Sequence, residues 1–281
     1  MLGAHARQAN VEGGSAVYGS ICRSGVRPDI FTYLAMFNMI ASHGKEVSQA
    51  TGQQARQGAL GWQDANRSRI KLWQSDYSKL WHWEKDMRQR FKLQHDTLTL
   101  KALMRAYSRV GKVDDVVRVL HEEVNAGRLK VQADAYAIAI GAAARWQKMD
   151  AALKLHEQMV KRGVPATVQT YNSLMVGLKH KSATKHTNTM RLLRQMQADG
   201  LRPDAVTYHV LVSIACSSGD VGDGLRWVEE MMRRRIRPVP ETWANLVAAC
   251  VDGRHSLELE KVVGMMDERQ EELMRSVLDE L

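Results

Sequence analysis

Residues that could bind a phosphate or a metal ion are scarce in this sequence. Residues Gly219 to Gly224 read Gly-Asp-Val-Gly-Asp-Gly, but they lack the Lys-Ser/Thr pair of a phosphate-binding loop and follow no strand-like run. His180 and His186 are six positions apart, which does not place two metal ligands on one face of a helix. We therefore predict no catalytic residue, no metal site, no cofactor and no small-molecule substrate.

The composition indicates which kinds of partner and which cysteine chemistry to expect. The 281 residues include 40 Lys and Arg against 31 Asp and Glu, a net charge of +9, which favours a polyanionic partner. Cys22, Cys216 and Cys250 have no metal-ligand spacing, so we expect them to be reduced, small apolar fillers. No apolar run approaches the ~18 residues that a membrane span needs, and we predict no membrane partner.

A ten-residue pattern recurs along the chain. Leu201 to Val210 read Leu-Arg-Pro-Asp-Ala-Val-Thr-Tyr-His-Val, and related segments begin at Val26, Val164 and Ile236. Aligned aromatic residues lie 35 to 37 positions apart, at Tyr136, Tyr171, Tyr208 and Trp243. A period in this range indicates a solenoid of stacked supersecondary units.

Each repeat begins with a helical pattern. An anchor residue is followed by apolar residues at the third, fourth and seventh positions, which places four side chains on one stripe of an α-helix. A polar or Gly-containing turn and a second apolar-periodic run follow, so each unit is predicted to be helix, turn, helix, turn. The six sets are Tyr33, Met36, Phe37, Ile40; Leu100, Leu103, Met104, Tyr107; Tyr136, Ala139, Ile140, Ala143; Tyr171, Leu174, Met175, Leu178; Tyr208, Leu211, Val212, Ala215; and Trp243, Leu246, Val247, Cys250.

Two segments carry a family resemblance. Gly-Leu-Arg-Pro-Asp at 200–204, followed by Ala-Val-Thr-Tyr, and Thr-Tyr-Asn-Ser-Leu at 170–174 resemble pentatricopeptide (PPR) repeats. Tetratricopeptide repeats have a similar period, but no copy shows their Trp-x-x-Leu-Gly-x-x-Tyr motif. The resemblance covers nearly the whole chain and implies an all-α fold, a right-handed superhelical solenoid of helix-turn-helix PPR repeats.

The repeat boundaries follow from the same alignment. We expect residues 1–29 to be a partial first repeat whose first helix would begin before Met1. The copy at 30–96 carries an insertion at about 45–69, rich in Gln, Gly, Ala and Ser, which predicts a surface loop or a disordered excursion. The remaining units are repeats at 97–132, 133–167, 168–204 and 205–239, and a degenerate repeat with a C-terminal capping helix at 240–281.

The resemblance also implies positions that read RNA bases. In PPR repeats these are the fifth residue of the first helix and the last residue of the same repeat, with an apolar clamp at the second position. Asn172 with Asp204 matches the family's code and resembles a uridine reader, although its clamp position holds Gln169. The other pairs match the code poorly: Leu34 with Asp96, Lys101 with Gln132, Ala137 with Thr167, and His209 with Val239.

Basic residues near the end of the first helices are the expected phosphate contacts. The family often places a cation there, and the matching positions hold Arg109, Arg145 and His180, which Lys179 and Lys181 flank. Cations without base readers predict sequence-tolerant, salt-sensitive binding. An ordinary solvated surface stays open as the alternative. Three copies have Ser42, Ser217 and Asp252 at this position instead.

Aromatic residues recur at helical spacing in the second helix of the insertion-bearing copy, at Trp73, Tyr77 and Trp81, with Leu80 between them. Base stacking is one interpretation. We predict core and inter-repeat packing, because this helix must bury a face like its counterparts.

The function implied by the resemblance is RNA binding in an organelle, without enzymatic activity. We predict a structural component of a ribonucleoprotein, most of all a mitochondrial ribosome, with rRNA and other proteins of the complex as partners. A plastid is the alternative location. Two alternatives of function stay open: a free-standing, transcript-specific factor acting on mRNA, and a protein–protein scaffold without RNA binding.

Overall fold

The computed structural model describes residues 3, 5, 8–56, 62–127, 133–178, 185–253 and 255–266. These ranges form helices joined by short turns and irregular segments, and they contain no strand. A π-helical turn, Asp86–Arg90, lies between the third and fourth α-helices. The all-α prediction is confirmed. The α-helices are α1 (Val11–Arg23), α2 (Ile30–Arg56), α3 (Trp62–Lys85), α4 (Thr97–Arg109), α5 (Val113–Ala126), α6 (Ala133–Arg145), α7 (Met149–Lys161), α8 (Val168–Leu178), α9 (Lys185–Ala198), α10 (Ala205–Cys216), α11 (Val221–Arg233), α12 (Pro240–Asp252) and α13 (Ser256–Met265).

The apolar stripes of the six first helices form the core. Every member of the six predicted sets is buried, and none exposes more than 6% of its surface. The apolar spacing explains this result, because positions three, four and seven residues apart lie on one face of a helix. Burial of such a stripe against neighbouring helices, more than intrinsic propensity, stabilises each short helix.

The residues between helices set where the helices begin and end. Asp96 and Asp204 cap α4 and α10, and their carboxylates accept hydrogen bonds from the backbone N–H of Thr99 (2.7 Å) and Thr207 (2.8 Å). Gly200, just beyond α9, adopts a left-handed backbone with φ of 76°. Glycine reaches this conformation without a Cβ clash, so the chain can turn into the next repeat.

The insertion in the copy at 30–96 differs from the prediction. We expected a surface loop at about 45–69, but α2 continues to Arg56 and α3 begins at Trp62. Residues 57–61 lie outside the described part of the chain. The segment contains Ala, Gln, Lys, Glu and Arg, which are strong helix formers, so it can extend two adjoining helices.

The aromatic helix α3 packs in the core along part of its length. Leu80 is buried, in agreement with the packing prediction, and Trp73 and Tyr77 are half-buried. Trp83, which follows them on the same helix, is buried too. The prediction was wrong for Trp81, which is 47% exposed and has the Lys85 Nζ 5.0 Å from its ring centroid. Trp81 lies beside Leu80 in sequence, about 100° around the helix, and so points away from the buried stripe.

The chain forms two compact units, Met1–Ala142 and Ala143–Leu281. In the first unit, α2 packs against both α3 and α4, and α4 packs against α5. In the second, α10 packs against α8, α11 and α12, and α12 packs against α13. The predicted capping helix at the C-terminus falls mostly in residues 267–281, outside the described residues.

Candidate RNA-binding interface

The outer face of α4 carries a row of exposed and half-exposed side chains opposite the buried stripe. Leu98 is 58% exposed, Arg105 is exposed, and Lys101 and Arg109 are partly exposed. These four positions recur every three or four residues, so they lie along one side of the helix. We call these four residues the α4 row. They combine one apolar side chain with three cations.

The cations of the α4 row differ in whether they already have a carboxylate partner. The Lys101 Nζ lies 3.1 Å from the Asp134 Oδ2, so this ammonium group is already engaged. Arg105 and Arg109 form no ion pair with another described residue. A guanidinium group without a carboxylate partner can bind a phosphate with its fixed fork of N–H donors. Arg109 was predicted from its position. Arg105 was not predicted as a site residue, although it lies four residues from both Lys101 and Arg109, a spacing that places all three on one side of a helix.

Asn172 and Asp204, the pair that resembles a uridine reader, contact each other in the second unit. The Asn172 Nδ2 donates a hydrogen bond to the Asp204 Oδ1 at 3.1 Å, and the Thr207 hydroxyl donates one to the Asn172 Oδ1 at 2.8 Å. Asn172 is only 6% exposed. These bonds fix the orientation of the amide and use its carbonyl oxygen inside the protein.

The Asp204 carboxylate is stabilised in its charged form. Partial burial acts to raise the pKa of Asp204, but hydrogen bonds from Thr207 and Asn172 outweigh that effect and lower it. Asp204 is exposed to solvent although its carboxylate caps α10. Asp204 therefore presents negative charge beside the Asn172 amide at neutral pH.

Three of the predicted base-reading residues bond to the start of the next first helix. Lys101 contacts Asp134, Asn172 contacts Thr207, and the His209 Nδ1 lies 2.9 Å from the Thr242 Oγ1. These contacts join residues 33 to 35 positions apart. Sequence reasoning missed them, because it considered each fifth position only as a partner for RNA.

The second position of the first helices, where the resemblance implies an apolar clamp, holds exposed apolar side chains in three helices. Phe31, Leu98 and Val206 occupy it in α2, α4 and α10, and they are 68%, 58% and 55% exposed. The Phe31 ring offers a flat surface on which a base can stack, whereas Leu98 and Val206 offer apolar contact only. Gln169 at this position of α8 is also exposed.

The remaining predicted site residues are distributed as follows. Arg145 is exposed at the end of α6, and Val239 is 37% exposed just before α12. Gln132, Lys179, His180 and Lys181 lie outside the described residues.

Among the residues that the structure describes, no cluster of three or more His, Cys, Asp or Glu side chains is placed to hold a metal ion. None of the described helices is long and apolar enough to cross a membrane.

Three family models match separate parts of the chain. The model described as PPR repeat matches residues 98–122, the PPR repeat family model matches 133–180, and the pentatricopeptide repeat domain model matches 191–253. The chain belongs to the pentatricopeptide repeat family. The matched segments include the α4 row and the Asn172–Asp204 region in large part.

Individual relatives share low but recognisable identity with this PPR chain. It is 28% identical over 157 residues to a chloroplastic and 25% identical over 124 residues to a mitochondrial pentatricopeptide repeat-containing protein of Arabidopsis thaliana. It is 20% identical over 152 residues to a small ribosomal subunit protein, mL103 (rPPR7), of the same plant. These matches cover 55%, 44% and 54% of this chain, which spans only 20%, 30% and 36% of the relatives.

A solved PPR structure has the same fold. The crystal structure of PPR10 in complex with an 18-nt psaJ RNA element matches with a TM-score of 0.58 and 18% identity. The match covers 94% of this chain and 38% of that chain. At this identity the likeness establishes the fold, and the role of each side chain must be argued from the residues present here.

Proposed function

We propose that this PPR chain is an organellar RNA-binding protein that acts as a structural component of a ribonucleoprotein, with a mitochondrial ribosome as the favoured particle and a plastid as the alternative location. Its partners are rRNA and neighbouring proteins of the complex. The chain acts by binding, and the proposal assigns no catalytic step to it.

The α4 row is the observation that carries this proposal. Arg105 and Arg109 are available for phosphate groups, while Leu98 offers an apolar surface beside them. The base-reading positions, by contrast, are largely used inside the protein, as in the Lys101–Asp134 pair. Phosphate contacts give affinity and orientation without sequence information, so this arrangement supports sequence-tolerant RNA binding.

The relatives support an organellar particle. Two of them are described as chloroplastic and mitochondrial, and a third as a small ribosomal subunit protein. In a ribosome, many weak contacts with RNA of defined shape supply specificity together, so base readout by each repeat becomes dispensable.

Sedimentation of an organelle lysate tests the ribosomal proposal. We expect the protein to migrate with one ribosomal subunit in low and in high salt, and to be released when ribonuclease degrades the rRNA. Migration as a small free protein, or in an mRNA complex away from both subunits, would contradict the proposal.

A transcript-specific factor is the second candidate, and the Asn172–Asp204 contact favours it. The Asn172 amide and the Asp204 carboxylate place a donor and an acceptor side by side, as recognition of a uracil edge requires. Binding to homopolymeric RNAs at several salt concentrations separates the candidates. A strong uridine preference supports the transcript factor, equal binding supports the ribosomal role, and no binding to any RNA supports a protein scaffold.

A further inference from the structure

A cavity in the first unit contains buried polar groups that the proposed RNA interface does not use. Its volume is about 290 Å³, and it lies where the chain passes from the π-helical turn to α4, facing α5. It is separate from the α4 row, because none of the four row residues lines it. Its lining consists of Arg88, Lys92, Leu93, Gln94, His95 and Glu123.

His95 is the least satisfied residue of this cavity. It is only 5% exposed, and neither its Nδ1 nor its Nε2 has a hydrogen-bond partner. Burial, together with the nearby positive charge of Arg88, lowers the pKa of His95 to about 4, so the ring is neutral at physiological pH. A neutral imidazole has one N–H donor and one nitrogen acceptor, and leaving both unpaired in the interior is costly.

Glu123 supplies a second buried polar group. It is 4% exposed and forms no hydrogen bond or ion pair with another described side chain, whereas its neighbour Glu122 pairs with Arg88 and Arg118. The Glu123 carboxylate therefore presents acceptor oxygens to the cavity. Buried polar groups in native proteins nearly always have partners, so the unpaired His95 nitrogens beside the Glu123 carboxylate indicate a ligand.

The backbone around the cavity is also unusual. Arg88 belongs to the π-helical turn Asp86–Arg90, and Lys92 adopts a left-handed backbone with φ of 55°. Single π-turns and left-handed non-glycine residues occur disproportionately at functional sites. Here they place a guanidinium group and an exposed ammonium group on the same cavity as His95 and Glu123.

We propose that this cavity binds a guanine base. A carboxylate can only accept hydrogen bonds, and guanine presents two adjacent donors, N1–H and N2–H, on one edge. Adenine, cytosine and uracil each place an acceptor beside the donor there, which a carboxylate repels. The O6 and N7 acceptors of guanine suit the Lys92 and Gln94 donors on the same cavity, while Arg88 is paired with Glu122. A volume of about 290 Å³ suits a base better than a larger ligand.

Titration of the full chain with mononucleotides tests this site. We expect GMP to bind more tightly than AMP, CMP or UMP, and to shift the ¹⁵N resonances of the His95 ring. The Glu123→Gln variant replaces one acceptor oxygen by a donor and should weaken GMP binding at least roughly tenfold, the effect of one good base contact. Glu229→Gln, an exposed residue of α11, is the matched control and should change nothing.

Three further measurements separate loss of GMP binding from loss of folding and from loss of RNA binding at the α4 row. If Glu123→Gln melts at a much lower temperature, the exposed cavity residue Lys92 replaces it, and Lys92→Ala should weaken GMP binding by a few-fold. Short oligouridines with and without one guanine show whether RNA, in addition to a free nucleotide, delivers the base. Equal binding of all four nucleotides, or GMP without effect on the His95 ring, would overturn the proposal. Charge reversal of Arg105 and Arg109 should leave GMP binding intact, so the two sites fail independently.

Discussion

The α4 row and the Asn172–Asp204 pair occupy corresponding parts of different repeats, yet they are available to a ligand to different degrees. On α4, Arg105 and Arg109 have no ion-pair partner among the described residues. Around α8 and α10, Asn172 bonds to both Asp204 and Thr207 within the protein. The comparison teaches that a position in the repeat decides where a side chain lies, while its neighbours decide whether it can bind RNA.

The largest expected effect is on stability, and it follows from removing a buried ring behind either region. Tyr107→Ala in α4 and Tyr171→Ala in α8 should each lower the free energy of unfolding by about 3–5 kcal/mol, because each removes a buried aromatic ring. Chemical denaturation followed by circular dichroism measures the loss. Replacement of the exposed Phe31 by Ala is the control, and a comparable loss there would show that exposure does not separate the two kinds of position.

Charge reversal of the two arginines in the α4 row tests directly whether they bind RNA phosphates. Arg105→Glu with Arg109→Glu should weaken binding to every single-stranded RNA roughly 10- to 100-fold, about 1.4–2.8 kcal/mol. The slope of log affinity against log salt should fall by about 1.4, because two phosphate contacts are lost. Arg191→Glu with Arg194→Glu on α9, a second helix, is the matched control. Equal losses in both double variants would mean that the net charge alone drives binding.

The Asn172–Asp204 contact should contribute locally to stability and to base preference. Asn172→Ala removes partners from Asp204 and Thr207, and we expect it to cost about 0.5–1.5 kcal/mol of folding stability. It should also abolish any uridine preference while general RNA affinity stays within a few-fold. Melting curves and homopolymer binding measure the two effects. A loss of affinity for all RNAs would mean that this pair, and not the α4 row, dominates binding.

The aspartates that cap the two helices should make stability depend on acid. Although burial opposes it, hydrogen bonding lowers the pKa of both Asp96 and Asp204 in the folded state. Their stabilisation is therefore complete above the unfolded value of about 3.9 and is lost as the pH falls through the lower folded values. Asp204→Asn can still accept the capping bond but does not titrate, so its stability should fall less steeply in acid. Melting temperatures across this pH range measure the difference.

The smallest expected effect concerns the turn that follows α11. Arg235 has φ of 59° where Gly163 and Gly200 close α7 and α9 with φ of 69° and 76°. Arg235→Gly should raise the free energy of unfolding by up to about 1 kcal/mol, because glycine adopts this conformation without strain. Gly200→Ala should have the opposite sign. A loss of stability in Arg235→Gly would show that the arginine side chain contributes more than its backbone strain costs.

Much of the fold could be predicted from the sequence because its signals are local. The apolar spacing after Tyr171 lies within two helical turns, so it specifies a helix and its buried face together. The loop predicted at 45–69 was wrong because composition distinguishes polar from apolar better than helix from loop. Trp81 was assigned to the core although it points away from the stripe that contains Leu80.

The sequence by itself determined the repeat period, the helix-turn-helix unit and the buried stripes, because these depend on residues a few positions apart. Only the tertiary structure decided which candidate side chains are available. The His209–Thr242 and Asn172–Thr207 contacts join residues more than 30 positions apart, and the cavity around His95 depends on where α5 places Glu123. Hydrogen bonds and charges act over a few ångströms, so their partners are known only when distant segments of the chain are placed side by side.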